Sequence, residues 1–252
     1  MGQKPIVGSN PTLSARFGLH KCAINFVQFT AVIAQCEQLL KQYFDDILFK
    51  DIAMRHKIRD IITLRSLAAH LLAHTGNLMS LQRIAKLFGV SLELAGSYCA
   101  YLQEAFLINF VGFYSRKVAE RNRNPKKVYS IDLGLQRVSG LNFSDDIGHR
   151  IETAVYIKLI SEKRTVAFYW KDEQKEIDFV IHADNKVSTL VQVVSEHLEK
   201  PEVLHREYEA IIQAAKILKV DHKIIVVGKM PTADLKLIEK VDVIPLWLFL
   251  LQ

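Results

Sequence analysis

The run Glu176-Ile177-Asp178-Phe179-Val180-Ile181 constrains this 252-residue chain more than any other stretch. It is short, apolar and β-branched, the composition of a largely buried strand. A carboxylate inside such a strand is costly unless it is paired or binds a cation. Asp178 therefore marks either the half-buried end of a strand, paired with a lysine, or a cation site. Upstream, Ile151, Val155, Leu159 and Ile160 recur at i, i+4, i+8 and i+9, which predicts an amphipathic helix carrying Glu152. Downstream, Leu190-Val191-Gln192-Val193-Val194 reads as a further strand. Glu152, Asp178 and Gln192 thus fall on helix, strand and next strand, the order in which metal-dependent nucleases present their ligands.

These residues carry a family resemblance. Gly148-His149-Arg150-Ile151-Glu152 matches a Gly-x-x-x-Glu that opens a helix, and Glu176 to Phe179 matches a following Glu-Ile/Val-Asp-Phe strand. The segment resembles the restriction-endonuclease-like, PD-(D/E)xK-type domain that closes a large group of prokaryotic AAA-type ATPases, known as domain of unknown function 4143. In that family the next strand reads Glu-Val-Lys, whereas this chain has Gln192-Val193-Val194. The second carboxylate is replaced by an amide, and the lysine is missing at Val194.

The resemblance implies a metal-dependent nuclease site in which Mg²⁺ polarises the phosphoryl oxygen and lowers the pKa of an attacking water, while a lysine orients that water. Asp178 and Glu152 would be the metal ligands. Gln192 offers only a neutral carbonyl oxygen, and Val194 cannot stand in for the lysine; Lys158, Lys175 or Lys186 would have to reach in from elsewhere. The expectation is a degenerate site formed by Glu152, Asp178 and Gln192, with Mg²⁺ as the cofactor should it cleave.

Before this region, Leu39, Leu40, Tyr43, Phe44, Ile47 and Leu48 predict an amphipathic helix over 37–51, and a second helix is expected over 58–74. Ser80–Phe88 and a helix capped by Ser91 and running to about Ala105 form a helix-turn-helix pattern around Gly89-Val90. Strands over 108–114 and 128–132, joined by a loop, follow. Three helices and a hairpin make a winged helix, and the resemblance extends over roughly 37–252. The expected fold is α/β: a helical and winged-helix domain over 37–132, a linker over 133–144, and a restriction-endonuclease-like mixed-sheet domain over 145–252. In that last domain the pattern gives a helix over 146–162, strands over 165–171, 176–182 and 188–194, a helix over 201–218, a strand over 222–227, a short helix over 232–239 and a closing segment over 241–251.

Residues 1–36 contain Lys4, Arg16 and Lys21 but no acid, and resemble nothing that follows. The 13 residues from Cys22 to Ala34 are too short to span a bilayer. A disordered leader or a misassigned start is expected. The three cysteines, Cys22, Cys36 and Cys99, form no Cys-x-x-Cys pair and suit a reducing, cytoplasmic setting. No Gly-x-x-x-x-Gly-Lys-Ser/Thr loop occurs, so neither ATP binding nor hydrolysis is expected of this polypeptide.

Charge supplies the partner expectation. Arg116, Lys117, Arg121, Arg123, Lys126 and Lys127 face only Glu120 within 116–127. On a wing they would lie along a phosphate backbone, adding affinity without sequence readout. The helix from Ser91 to Ala105 has two acids and neither Lys nor Arg, unusual for a groove-reading helix. Nucleic acid, DNA in the first instance, is therefore the expected partner, through the wing. The alternatives are a protein-docking module and an active Mg²⁺-dependent endonuclease. His70 and His74, at i and i+4, have zinc-like spacing but no third ligand nearby, and are expected to be a solvated or capping pair.

Overall fold

The computed structural model describes residues 34–139, 147–162, 165–172, 175–183, 186–194, 201–228 and 240–252. Most of the expected leader and the short helix expected over 232–239 lie outside the described residues.

Helix α1 (34–46) continues through a π-helical segment, Ile47–Ala53, into α2, Met54–His56. The amphipathic helix thus runs past residue 51 and stops at Lys57, whose φ of 55° is left-handed. Helix α3 spans Ile61–Ala73 and starts later than the hydrophobic pattern suggests, because the Asp60 side chain accepts the Thr63 N–H and fixes its N-cap. A two-residue strand β1, Leu78–Met79, leads into α4, Leu81–Phe88, and α5, Leu92–Glu104. Ser80 and Ser91 cap these two helices, each accepting a backbone N–H three residues on. Gly89, at φ 63°, closes α4 in the left-handed region.

Strands β2 (Ile108–Phe113) and β3 (Lys126–Ser130) pair antiparallel, and β1 pairs with the other edge of β3. The expected loop between β2 and β3 contains a short helix, α6 (Val118–Arg123). Ser115 Oγ helps set its start, donating to Glu120 and accepting the Lys117 N–H. The expected linker is also partly helical: α7 (Leu133–Val138) is capped by Asp132, which accepts the Leu135 N–H at 2.8 Å.

The remaining described elements are α8 (Ile147–Ser161), β4 (Thr165–Lys171), β5 (Glu176–Ala183), β6 (Lys186–Val194), α9 (Pro201–Leu218), β7 (His222–Val227), β8 (Asp242–Pro245) and α10 (Leu246–Leu251). The fold is mixed α/β, with a helical N-terminal part and one eight-stranded sheet of order β1-β3-β2-β4-β5-β6-β7-β8. β2 lies parallel to β4, with Gly112 opposite Phe168 and Phe113 opposite Tyr169. The sheet therefore runs unbroken across the two units expected at 37–132 and 145–252.

Strand alternation distributes the core. Ile225 and Val227, with Leu190 and Val194, pack against Ile211 and Ala214 of α9, while Ile224 and Val226 join Val191, Phe179 and the α8 residues Val155, Tyr156 and Leu159 on the other face. The helical part has its own core, in which Leu64, Leu67, Leu71 and Leu72 of α3 are fully buried in one cluster with Phe44, Leu48, Ile52, Ile84 and Leu102. Truncating any of these leucines to alanine would cost about 2–5 kcal/mol. No helix among the described residues is long and apolar enough to cross a membrane.

Candidate functional site

Strand β3 brings the two parts of the sheet to one point. Successive side chains on a strand point to opposite faces. Val128 packs with the helical core, whereas Tyr129 lies against α8, stacked on Tyr156 with ring centroids 4.4 Å apart. Lys127 shares the Tyr129 face and is only 3% exposed, while Lys126 on the opposite face is open to solvent.

The Lys127 Nζ stands among three carboxylates. It lies 2.9 Å from Glu152 Oε1, 2.9 Å from Asp178 Oδ1 and 2.8 Å from Glu176 Oε1. Tyr129 donates its hydroxyl to the same Glu152 oxygen at 2.5 Å. Asp178 Oδ2 accepts the Val193 N–H at 2.9 Å, so both of its oxygens are engaged. Helix α8, strand β5 and the hairpin strand β3 thus all contribute to a buried ion cluster.

Burial alone would discharge Lys127, but the carboxylates of Asp178 and Glu152 outweigh it and hold the ammonium well above the usual lysine range. Burial, with the neighbouring Asp178 carboxylate, pushes Glu152 up to about 7 against the pull of Lys127. Burial next to Glu152 likewise keeps the Tyr129 phenol protonated, as its donated hydrogen bond requires.

Gln192 does not turn a free oxygen toward this cluster. Its Oε1 accepts the Asp178 N–H at 3.2 Å, and its Nε2 donates to Glu207 Oε2 at 2.9 Å. Glu207 in turn is held by Arg206 at 2.7 Å. Val194 is buried in the α9 core. Of the three lysines suggested as substitutes, Lys158 pairs with Glu162, Lys175 bonds Gln213, and Lys186 is exposed at the start of β6. The lysine that does arrive is Lys127, which the sequence pattern puts on the outer surface of the wing. That placement is corrected: strand alternation turns it inward. Lys127 and Tyr129, two apart in Lys127-Val128-Tyr129, share one face of the strand, but the sequence carries no signal that this face is enclosed. Glu176 and Glu207 are further members of the network that sequence reasoning missed.

Glu152, Asp178, Gln192 and Glu207 line an open cleft of about 260 Å³ together with His149 and Arg206. Among the described residues no three His, Cys, Asp or Glu side chains are grouped to hold a metal ion. The point where the carboxylates converge is taken by the Lys127 ammonium, and the Gln192 oxygen by a backbone N–H. In this arrangement the residues do not fit Mg²⁺, which takes oxygen ligands at about 2.0–2.1 Å in near-octahedral geometry.

The rest of the basic loop does face outward. Arg116, Lys117, Arg123 and Lys126 are exposed and Arg121 is half-buried, with Lys117 paired to Glu120 at 3.1 Å. With Lys127 withdrawn, five cations remain against Glu120. Beside the loop, α4 and α5 border a groove of about 490 Å³. His70 and His74 lie with ring centroids 4.0 Å apart, and His74 Nδ1 is 2.8 Å from the His70 carbonyl oxygen at the end of α3. Burial, with His74 and Arg83, lowers the His70 pKa to about 4.

A family model described as a domain of unknown function, DUF8612, matches residues 27–145, which covers the helical part and begins within the segment expected to be a leader. The uncharacterized protein MJ1544 of Methanocaldococcus jannaschii is 30% identical over 225 residues, covering 84% of this chain and 49% of that protein. An uncharacterized protein of Haemophilus influenzae is 27% identical over 198 residues, covering 77% of this chain and 47% of that protein. The chain spans about half the length of these relatives. No solved structure matches it.

Proposed function

We propose that this chain is a nucleic-acid-binding module, a winged helix joined to a restriction-endonuclease-like domain that does not cleave. The observation that carries the reading is Lys127 Nζ at 2.8–2.9 Å from Glu176, Glu152 and Asp178, an internal cation at the point where a nuclease would hold its metal. The order α3-β1-α4-α5-β2-β3, with the strands paired β1-β3-β2, supports the winged-helix assignment. The mixed sheet β4–β7 between α8 and α9, with Glu152 and Asp178 on helix and strand, supports the nuclease-like one. On this reading the chain corresponds to the C-terminal part of the AAA-type ATPases with domain of unknown function 4143.

The partner follows from the exposed cations of the β2–β3 loop. Arg116, Lys117, Arg123 and Lys126 engage phosphates, and binding weakens with salt as counterions are released. The test is a salt titration of DNA binding by the intact chain and by a variant with Arg116, Lys117 and Arg123 changed to serine. For every phosphate no longer neutralised, the log–log slope on duplex falls by about 0.9. An unchanged slope removes the loop from the account and favours a protein-docking module.

One observation favours a second reading. Lys127 supplies, from β3, a lysine beside Asp178 and Glu152, the group that β6 lacks at Val194. An active Mg²⁺-dependent endonuclease would use that lysine, and metal-dependent cleavage by the unmodified protein distinguishes the two.

A further inference from the structure

We infer that the groove between α4, α5 and the basic loop receives an unpaired nucleotide, so that the nucleic acid bound is single-stranded. The inference rests on the nucleic-acid reading above and specifies which form of nucleic acid that reading concerns.

The groove, about 490 Å³, lies within the size range of small-molecule sites. Its floor on α5 is the stripe Leu92, Gly96 and Ala100, at i, i+4 and i+8, with Leu81 of α4 beside it. Leu81 and Leu92 are 41% and 49% exposed, so both offer apolar surface to an occupant of the groove. Gly96 lies beside Leu81, whose Cδ1 would stand 3.7 Å from a Cβ built on the glycine, an ordinary contact distance. Phe110 adds a half-buried aromatic wall.

Above this floor the chemistry is that of an anion attached to a flat, hydrogen-bonding body. Arg123 and Lys126 line the groove, and among the described residues no carboxylate does. Gln82 and Asn122 contribute side-chain amides, which offer both donors and acceptors to a base edge. A phosphate on the cations with its base between Leu81, Leu92 and Phe110 satisfies all three features together. A duplex does not, because its bases are stacked inside, and helix α5 has no Lys or Arg with which to read a major groove.

The test uses the full chain and labelled oligonucleotides: single-stranded DNA, single-stranded RNA of the same sequence, and the DNA duplex. Single strands are expected to bind about tenfold more tightly than the duplex, the lower end of the scale for one base stacked on an aromatic side chain such as Phe110. Ala100→Trp, at an exposed floor position, fills the groove and should remove that preference while duplex binding persists through Arg116 and Lys117, which do not line the groove. Gln82→Ala with Asn122→Ala, both at exposed positions, should reduce single-strand binding without altering the melting temperature. The two single-stranded arms decide between DNA and RNA. Equal affinity for duplex and single strand, unmoved by Ala100→Trp, overturns the inference and leaves the broader nucleic-acid reading standing. Binding of an acidic peptide that Ala100→Trp abolishes overturns it in favour of a protein partner. Failure to bind any of the three oligonucleotides overturns both.

Discussion

Lys127 and Asp178 lie 51 positions apart in sequence and meet at 2.9 Å beneath the cleft, joining the hairpin of the helical part to the central strand of the sheet. A cation this deeply enclosed leaves its partners uncompensated if it is removed. Lys127→Ala is expected to destabilise the protein by about 3–5 kcal/mol at neutral pH, while Lys126→Ala on the outer face of the same strand changes stability by less than about 0.5 kcal/mol. Chemical denaturation of the two variants measures the difference. Equal, small effects would place Lys127 in solvent.

The adjacent network makes a prediction about the amide at Gln192. Its Nε2 donates to Glu207 and its Oε1 accepts from Asp178. Gln192→Glu restores the residue of the resembled family but sets a carboxylate against Glu207, losing the donor that joins them. A loss of about 1–3 kcal/mol is expected, recovered in the double variant Gln192→Glu with Glu207→Gln. A double-mutant cycle with no coupling would show that the Gln192–Glu207 hydrogen bond carries no energy.

The sequence disclosed more of the fold than of the site, for a physical reason. Most helices and strands followed from local periodicity, and the cap at Ser91 lies within three residues of the group it satisfies. Glu152 and Asp178 were legible because an acid in an apolar segment demands a partner. The partner itself was not legible: Lys127 sits in a basic run, and only the pairing of β2 with β4 brings its inner face to the carboxylates. Glu207, on α9, was hidden because it joins the site through Gln192 rather than through any pattern of its own. The Asp60 cap and helix α6 were missed where side-chain hydrogen bonds override hydrophobic spacing.

The helical part rests on α8 through Gly76. At φ 79° this residue is left-handed, and a Cβ there would lie 2.6 Å from His149 Cδ2. Gly89 is also left-handed, at φ 63°, but nothing lies within 4 Å of its Cβ position. Gly89→Ala should therefore cost about 1 kcal/mol, from backbone strain alone. Gly76→Ala should cost distinctly more, because His149 must also move. Thermal unfolding of the pair checks the ordering, and equal losses would contradict the close approach of Gly76 to α8.

His70 gives a pH dependence with a defined sign. Its folded pKa is lowered from 6.5 to about 4, so between these values the unfolded chain holds a proton that the native state does not. Its contribution is complete above about pH 6.5 and is lost as the pH falls toward 4. Glu152 acts in the opposite sense: pushed up from 4.5 to about 7, it favours the native state at low pH and loses that contribution as the pH rises through the window. Comparing the parent with His70→Gln in urea at about pH 5 and pH 7 isolates the histidine. The variant should lose less stability than the parent on acidification, and an identical change in both would remove His70 as the cause.

The most direct test of the account is incubation of the unmodified protein with supercoiled plasmid in Mg²⁺ or Mn²⁺, with nicking followed over time. With the Lys127 ammonium where a nuclease would hold its metal, the account predicts that DNA is bound and stays intact. Metal-dependent cleavage that disappears in Asp178→Ala would contradict it.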